Sequence, residues 1–156
     1  MAISLTLLEY LEWEGVDYEL VPHPFVAGSL QTAQQAHISG EQLAKCVVVE
    51  DSNGYLMTVL PATHHIDIYK LNDITKRNLN FATEKEISDL FNDCSKGAIP
   101  PLPEAFGYKG LMDKSLNECD EDYLEAGDHT ELVHLTGDDF KYLMANTDQA
   151  NFSHHL

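Results

Sequence analysis

The sequence predicts one α+β domain: a central mixed, mainly antiparallel sheet of about six or seven strands flanked by helices. Three observations predict it. "KCVVVE" and "YLMTVLP" are apolar on both faces, as strands in the middle of a covered sheet are, and "DSNG" joins them. Stripes of helical period stand at both ends of the chain, in "LTLLEYLEWEGVDY" and "GDDFKYLMAN". The 156 residues are 44% hydrophobic and contain neither an internal repeat nor a linker, so residues 1–156 are expected to share one core.

The elements follow in order. Leu5, Leu7, Leu8, Leu11 and Val16 form one stripe, and Gly15 ends that helix. "YELVPH" is a short strand stopped by Pro22 and Pro24. "SLQTAQQAHI" reads as a short helix with Ser29 as its N-cap, and "SGEQLA" as a turn. After the central hairpin, "IDIYKLNDIT" is a helix and "LNFAT" a short strand. "EKEISDLF" is a helix opened by a Thr83–Glu86 capping box. The prolines and glycines of "SKGAIPPLPEAFGYKG" make a long shaped loop. "LMDKSL", "DYLEAG" and "ELVHLT" are three more strands. "GDDFKYLMAN" closes the domain with Asp138 at its positive end, and residues 147–156 are expected to fray.

Composition narrows the function. The net charge is −17, from 9 Lys and Arg against 26 Asp and Glu. Such a field discourages nonspecific contact with DNA or an anionic membrane, so a phosphate-bearing ligand must be caught by a local positive spot. The apolar runs are too short to span a bilayer, and the N-terminus lacks the basic start of a signal peptide. Cys46, Cys94 and Cys119 are odd in number, widely spaced and form no CxxC, which predicts a reducing, cytoplasmic setting.

Lys45 is the first Lys or Arg in the chain and Lys70 the next, yet Lys45 stands directly before an apolar strand. Two readings stand: a lysine with its stem on apolar surface and its ammonium in water, or a cation at a cleft mouth that binds a phosphate, hydroxyl or carbonyl. Gly97 and Pro101 give the spacing G-x-x-x-P in "GAIPP". That segment, with Ala98, Ile99 and Pro100, reads either as a rigid surface loop or as a preordered backbone ridge that orients a small acyl group. Gly127 and His129, in "EAGDHTELVHL", sit at a turn between strands, where a histidine is structural or hydrogen-bonds a substrate. Cys46 reads as a core thiol, although Lys45 beside it favours a thiolate. His64 and His65 are adjacent and point to opposite sides of a strand, and "SHHL" lies in the expected tail. No three-ligand metal set is readable, and no cofactor motif is present.

In order and spacing, these segments resemble the YbaK-like family of aminoacyl-tRNA deacylases, roughly from Tyr18 to Met144. "VPHPFVAGSLQTAQQAHISGEQLAKCVVV" looks like the family's opening segment ending in its key lysine, and "YLMTVLPATHHIDIYKL" like the strand and turn that follow. "GAIPPLP" matches its G-x-x-x-P loop, and "CDEDYLEAGDHTELVHLTGDDFKYLM" is similar to its closing strand–strand–helix. The resemblance implies a mixed sheet flanked by helices. It also implies hydrolysis of the ester joining a wrong amino acid to tRNA. Lys45 would be the catalytic or substrate-positioning lysine, and Gly97 to Pro101 the acyl-facing loop. Gly127, His129 and Cys46 would line the amino-acid pocket. The implied partners are the 3′ acceptor end of tRNA and an aminoacyl-tRNA synthetase, with no metal or other cofactor. Because nonspecific tRNA affinity comes from many Lys and Arg contacts, the acidic cluster Glu118, Asp120, Glu121, Asp122, Glu125 and Asp128 keeps two alternatives open. One is a binding module without deacylase activity. The other is a small-molecule esterase or nucleotide-binding protein using the same cleft.

Overall fold

A computed structural model describes residues 3–26 and 28–156. Helix α1 (Leu5–Glu14) opens the fold, with the Ser4 hydroxyl accepting from the Leu7 N–H and Gly15 in the left-handed region at its end. Strand β1 (Glu19–Pro22) and helix α2 (Ser29–Gln35) follow. Gly28 is the N-cap of α2, without a side-chain hydrogen bond, and Ser29 is the first helical residue; the expected Ser29 cap falls one position late. A 3-10 turn (Gly40–Gln42) leads into β2 (Leu43–Asp51) and β3 (Gly54–Pro61), which pair antiparallel along their whole length. Their loop is Ser52–Asn53, and Gly54 opens β3 at φ +125°, a conformation that favours glycine. Next come β4 (His64–Ile66), α3 (Ile68–Thr75), β5 (Asn80–Phe81) and α4 (Glu84–Leu90). The reciprocal Thr83–Glu86 capping box is present at the start of α4.

The proline-rich loop contains one short helix, α5 (Pro103–Phe106), and runs into β6 (Gly110–Asp113). β7 (Glu121–Glu125), β8 (Glu131–Thr136) and α6 (Gly137–Leu143) close the domain. The main sheet has eight strands rather than six or seven, in the order β1-β8-β7-β2-β3-β6 and then β9 (Asp148–Ala150), with β5 beside β2. The longest ladders are antiparallel. β7 with β2, β3 with β6 and β6 with β9 are parallel and short.

The extra strand β9 comes from the segment expected to fray. Residues 148–150 pair with β6, and β10 (Ser153–His155) forms a second, two-stranded sheet with β4. Two anchors order this tail. Phe152 is fully buried among Leu60, Leu71 and Leu79. The Asp113 carboxylate accepts from the Phe152 N–H (3.1 Å), the Ser153 N–H (3.0 Å) and the Ser153 hydroxyl (2.7 Å). A buried aromatic and three charge-assisted hydrogen bonds outweigh the entropy of fixing a few residues.

Alternation along β2 sorts the helices between the two faces of the sheet. Ala44 joins the core under α1 and α6, and Cys46 and Val48 face α4 and the proline-rich loop. Leu43 faces α2, and Val47 and Val49 face α3 and Phe152.

Candidate active site

β2 and β7 run parallel, but only Leu43 with Tyr123 and Ala44 with Leu124 are paired. Beyond those rungs the carboxyl ends of the two strands part. Such a crevice between neighbouring parallel strands is where open sheets bind ligands. Lys45 and Cys46 stand on one lip. Glu125, Ala126, Gly127, Asp128 and His129 stand on the other. The loop carrying Gly97 to Pro101 is tied to the second lip, because the Ser95 N–H donates to the Gly127 carbonyl at 2.7 Å and His129 Nε2–H donates to the Lys96 carbonyl. These bonds bring the Gly97–Pro101 loop, Gly127 and His129 together, and Cys46 lines a pocket with Gly97 and Ile99, while Lys45 lines a separate cleft on the other face of the sheet.

Lys45 projects to the α2 side. Half-buried, it lines a cleft of about 500 Å³ with Ser29, Gln31 and Gln34 of α2, Ala62 and Leu156. Its Nζ donates to the His64 carbonyl at 2.6 Å, and burial lowers its pKa. A desolvated ammonium with one carbonyl partner keeps two N–H donors for a ligand. Cys46 points to the other face. It lines a small apolar pocket of about 160 Å³ with Val48, Phe81, Ile87, Gly97 and Ile99. Burial pushes the Cys46 thiol up, so it behaves as a core thiol despite its charged neighbour.

The G-x-x-x-P loop is mostly interior. Ala98, Ile99, Pro100 and Pro101 are buried, and only Gly97 is exposed, at φ +76° in a turn closed by Ala98 N–H to Ser95 O (3.1 Å). Of the expected backbone ridge, Gly97 alone faces solvent. At the turn after β7, Gly127 adopts φ +106°, and a Cβ there would stand 3.0 Å from both Ser4 N and Ser4 Cβ. Asp128 closes the turn by accepting from the Thr130 N–H (3.1 Å), the Glu131 N–H (3.2 Å) and the Thr130 hydroxyl (2.9 Å). His129 is held at φ +62° and buried, edge-on to the exposed Phe25 ring at 5.4 Å. Its Nε2 donates to the Lys96 carbonyl, and its Nδ1 is buried without a hydrogen-bond partner among the described residues.

The acidic cluster divides in the structure. Asp122, Glu125 and Asp128 are interior, at 1%, 2% and 1% exposure. Burial, reinforced by Glu121 and offset by Lys141, pushes the Asp122 carboxyl up to about 7. Burial and the neighbouring Asp128 push Glu125 up to about 8. Glu125 is a site-flanking residue that sequence reasoning missed. Its signal was a carboxylate at an inward position of "DYLEAG", hidden among surface acids. The histidines of "THHID" and "SHHL" meet across the β4–β10 ribbon, His65 on His154 at 4.0 Å between ring centroids and His64 on His155 at 5.7 Å. Glu41 reaches His155 Nε2 at 3.0 Å and His64 Nε2 at 3.9 Å. Among the described residues, no three His, Cys, Asp or Glu side chains form a ready metal site, and no helix is long and apolar enough to cross a membrane.

No curated protein matches the chain. Several solved structures share its fold. A protein described as a "putative trans-editing enzyme for prolyl tRNA synthetase" superposes with a TM-score of 0.82 at 19% identity, over 98% of this chain and 99% of that one. The hypothetical protein APE2540 gives 0.83 at 17% identity, over 96% and 99%. A protein of Marinobacter aquaeolei VT8, described as a "putative signal transduction protein", gives 0.78 at 17% identity, over 97% of this chain and 31% of a longer one. A family model for the aminoacyl-tRNA editing domain matches residues 23–143, a span that contains Lys45, the Gly97–Pro101 loop, Gly127 and His129. The chain belongs to the aminoacyl-tRNA editing domain family.

Proposed function

We propose that this protein is an aminoacyl-tRNA deacylase, which hydrolyses the ester between a wrong amino acid and the terminal ribose of tRNA. The observation that carries the reading is the position of Lys45. It is a desolvated cation, in a chain of net charge −17, on the lip of the β2–β7 crevice within the family span. The tRNA 3′ end brings phosphate, ribose hydroxyls and an ester carbonyl, and a single positioned ammonium suits each of them. Water adds to the carbonyl carbon, the ester C–O bond breaks, and the ribose oxygen leaves with a proton. The products are the free amino acid and the tRNA hydroxyl. Lys45 stabilises the negative charge that builds on oxygen. The terminal ribose hydroxyl beside the ester, or the amino acid's own side chain, assists the water, so the route is substrate-assisted and needs no metal.

Gly97, Ala98, Ile99, Pro100 and Pro101, with Cys46, Gly127 and His129, are assigned to substrate binding. The apolar pocket beside Gly97, Ile99 and Cys46 holds about 160 Å³, a volume that fits a small acyl side chain. Partnership with an aminoacyl-tRNA synthetase is part of this reading, supported by the structural neighbour described as acting for prolyl-tRNA synthetase. Work in trans beside a synthetase accounts for a surface with so few cations, since the synthetase supplies the grip on the body of the tRNA. The setting is cytoplasmic, where charged tRNA is found. A panel of mischarged tRNAs, scored for release of the amino acid, tests the reading. Binding without release would favour the second reading, a non-catalytic binding module, which the carboxylate excess keeps in play.

A further inference from the structure

We propose that Glu125 is a second seat for the Lys45 ammonium and so a positioning residue for the site, an inference that rests on the deacylase reading above. Strand register carries it. Leu43 and Tyr123, the paired residues of β2 and β7, both pack under α2. Side chains alternate along a strand, so Lys45 and Glu125, each two residues further on, project to that same covered face. The neighbouring ladders pair Val21 with Leu132, Leu132 with Glu125, and Lys45 with Leu60. Lys45 and Glu125 each stand one residue past the last β2–β7 rung, Ala44 with Leu124, so they share a face across the point where the strands separate, with Leu132 beside Glu125 and Leu60 beside Lys45.

Neither group is well served where it stands. Glu125 is 2% exposed, and its Oε2 has no hydrogen-bond partner among the described residues. An unpaired buried carboxylate is costly, and ionisation makes it more so. Lys45 is the sole cation of β2, and its one carbonyl partner, His64 O, lies away from β7. The elements beside Glu125 on this face, α2, β1 and β8, carry no Lys or Arg. Helix α2 carries no ionisable side chain, Asp128 adds a negative one, and His23, after β1, is buried with Nε2 unpaired. Lysine's four-carbon stem lets the ammonium swing between partners without moving the backbone. Burial and Asp128 hold Glu125 protonated up to about pH 8. While it is neutral, Lys45 rests on His64. Once it ionises, it draws the ammonium from the α2 cleft into the crevice beside Gly127.

Two readouts test this on the full chain. In protein labelled with 15N-lysine, the Lys45 amine signal, identified by its absence in Lys45→Arg, is expected to shift with a midpoint at about pH 8. That transition is absent in Glu125→Gln. In steady-state deacylation of a mischarged tRNA, Glu125→Gln is expected to lower kcat with KM nearly unchanged. Its deficit is close to nil near pH 6, where Glu125 is neutral, and grows to roughly tenfold near pH 8.5, and Glu125→Asp recovers part of it. Superposable Lys45 titrations in wild type and Glu125→Gln would overturn the proposal, as would a deficit equal at every pH. If wild type releases no amino acid from any tRNA, the hydrolytic reading falls, and the amine titration still decides whether Glu125 seats the lysine.

Discussion

Stability should fall as pH rises from about 5 to about 8.5, the reverse of what an acidic protein with ion-paired carboxylates would show. Asp122 and Glu125 are buried, and their carboxyls ionise near 7 and 8 in the folded chain. In the unfolded chain they ionise near the usual carboxylate values of about 4. Between those limits the folded state binds more protons than the unfolded state, so the pH derivative of unfolding free energy is negative. Each group contributes stability that is complete below its unfolded pKa and lost as pH climbs through its folded pKa. The loss is about 1.4 kcal/mol for each pH unit separating the two values. Two such groups set an upper bound of several kcal/mol, and relaxation of the interior around the new charges reduces it to roughly 3 kcal/mol. Asp93 and Asp113, whose pKa values are lowered, act only at more acidic pH and leave this window unaffected. Urea denaturation at several pH values measures the slope. Glu125→Gln with Asp122→Asn should flatten it and be the more stable protein at pH 8.5. A wild-type stability that stays level or rises across the window would refute the reasoning.

Lys45→Ala should fold normally, since it removes one half-buried hydrogen bond worth about 1 kcal/mol. It should lose at least about 3 kcal/mol of transition-state stabilisation, roughly a hundredfold or more in single-turnover deacylation; near wild-type turnover would remove Lys45 from the mechanism. Gly127→Ala should cost roughly 2 kcal/mol in thermal or urea melts, because its φ of +106° disfavours a side chain and the new Cβ meets Ser4 at 3.0 Å. Binding of the free protein to tRNA should depend weakly on salt, with a log–log slope of about −1 to −3, and a minimal acceptor stem should bind nearly as well as full-length tRNA. A steep slope would reveal a basic surface beyond Lys45.

Local rules made most of the fold legible. Gly15 ended a helix, Thr83 and Glu86 formed a capping box, and two fully apolar strands took the centre of the sheet. The tail was misjudged because its order is not local. Phe152 is held by leucines of three other elements, and the bonds to Ser153 come from Asp113, a residue that reads as an ordinary strand-end acid. Ser29 looked like a cap because serine is favoured there, but Gly28 takes the extended conformation that opens α2. In the site, the sequence singled out Lys45 on β2 and Gly127 in the turn after β7, the strand that pairs with β2. It could not show that the lips continue onto both faces, because Lys45 and Cys46 are adjacent in sequence and strand alternation sends them apart. Glu125 was invisible for a related reason: whether an acid in a mixed strand faces in or out depends on register, and register is set by β2 and β8.

The central claim is release of a wrong amino acid from tRNA, and its most direct measurement is a panel of tRNAs mischarged with small amino acids, incubated with wild type and with Lys45→Ala. The account predicts that wild type frees the amino acid from at least one mischarged tRNA, at a rate far above spontaneous ester hydrolysis, and that Lys45→Ala approaches the spontaneous rate. Release at the spontaneous rate by wild type across the whole panel, with and without a synthetase present, would contradict it.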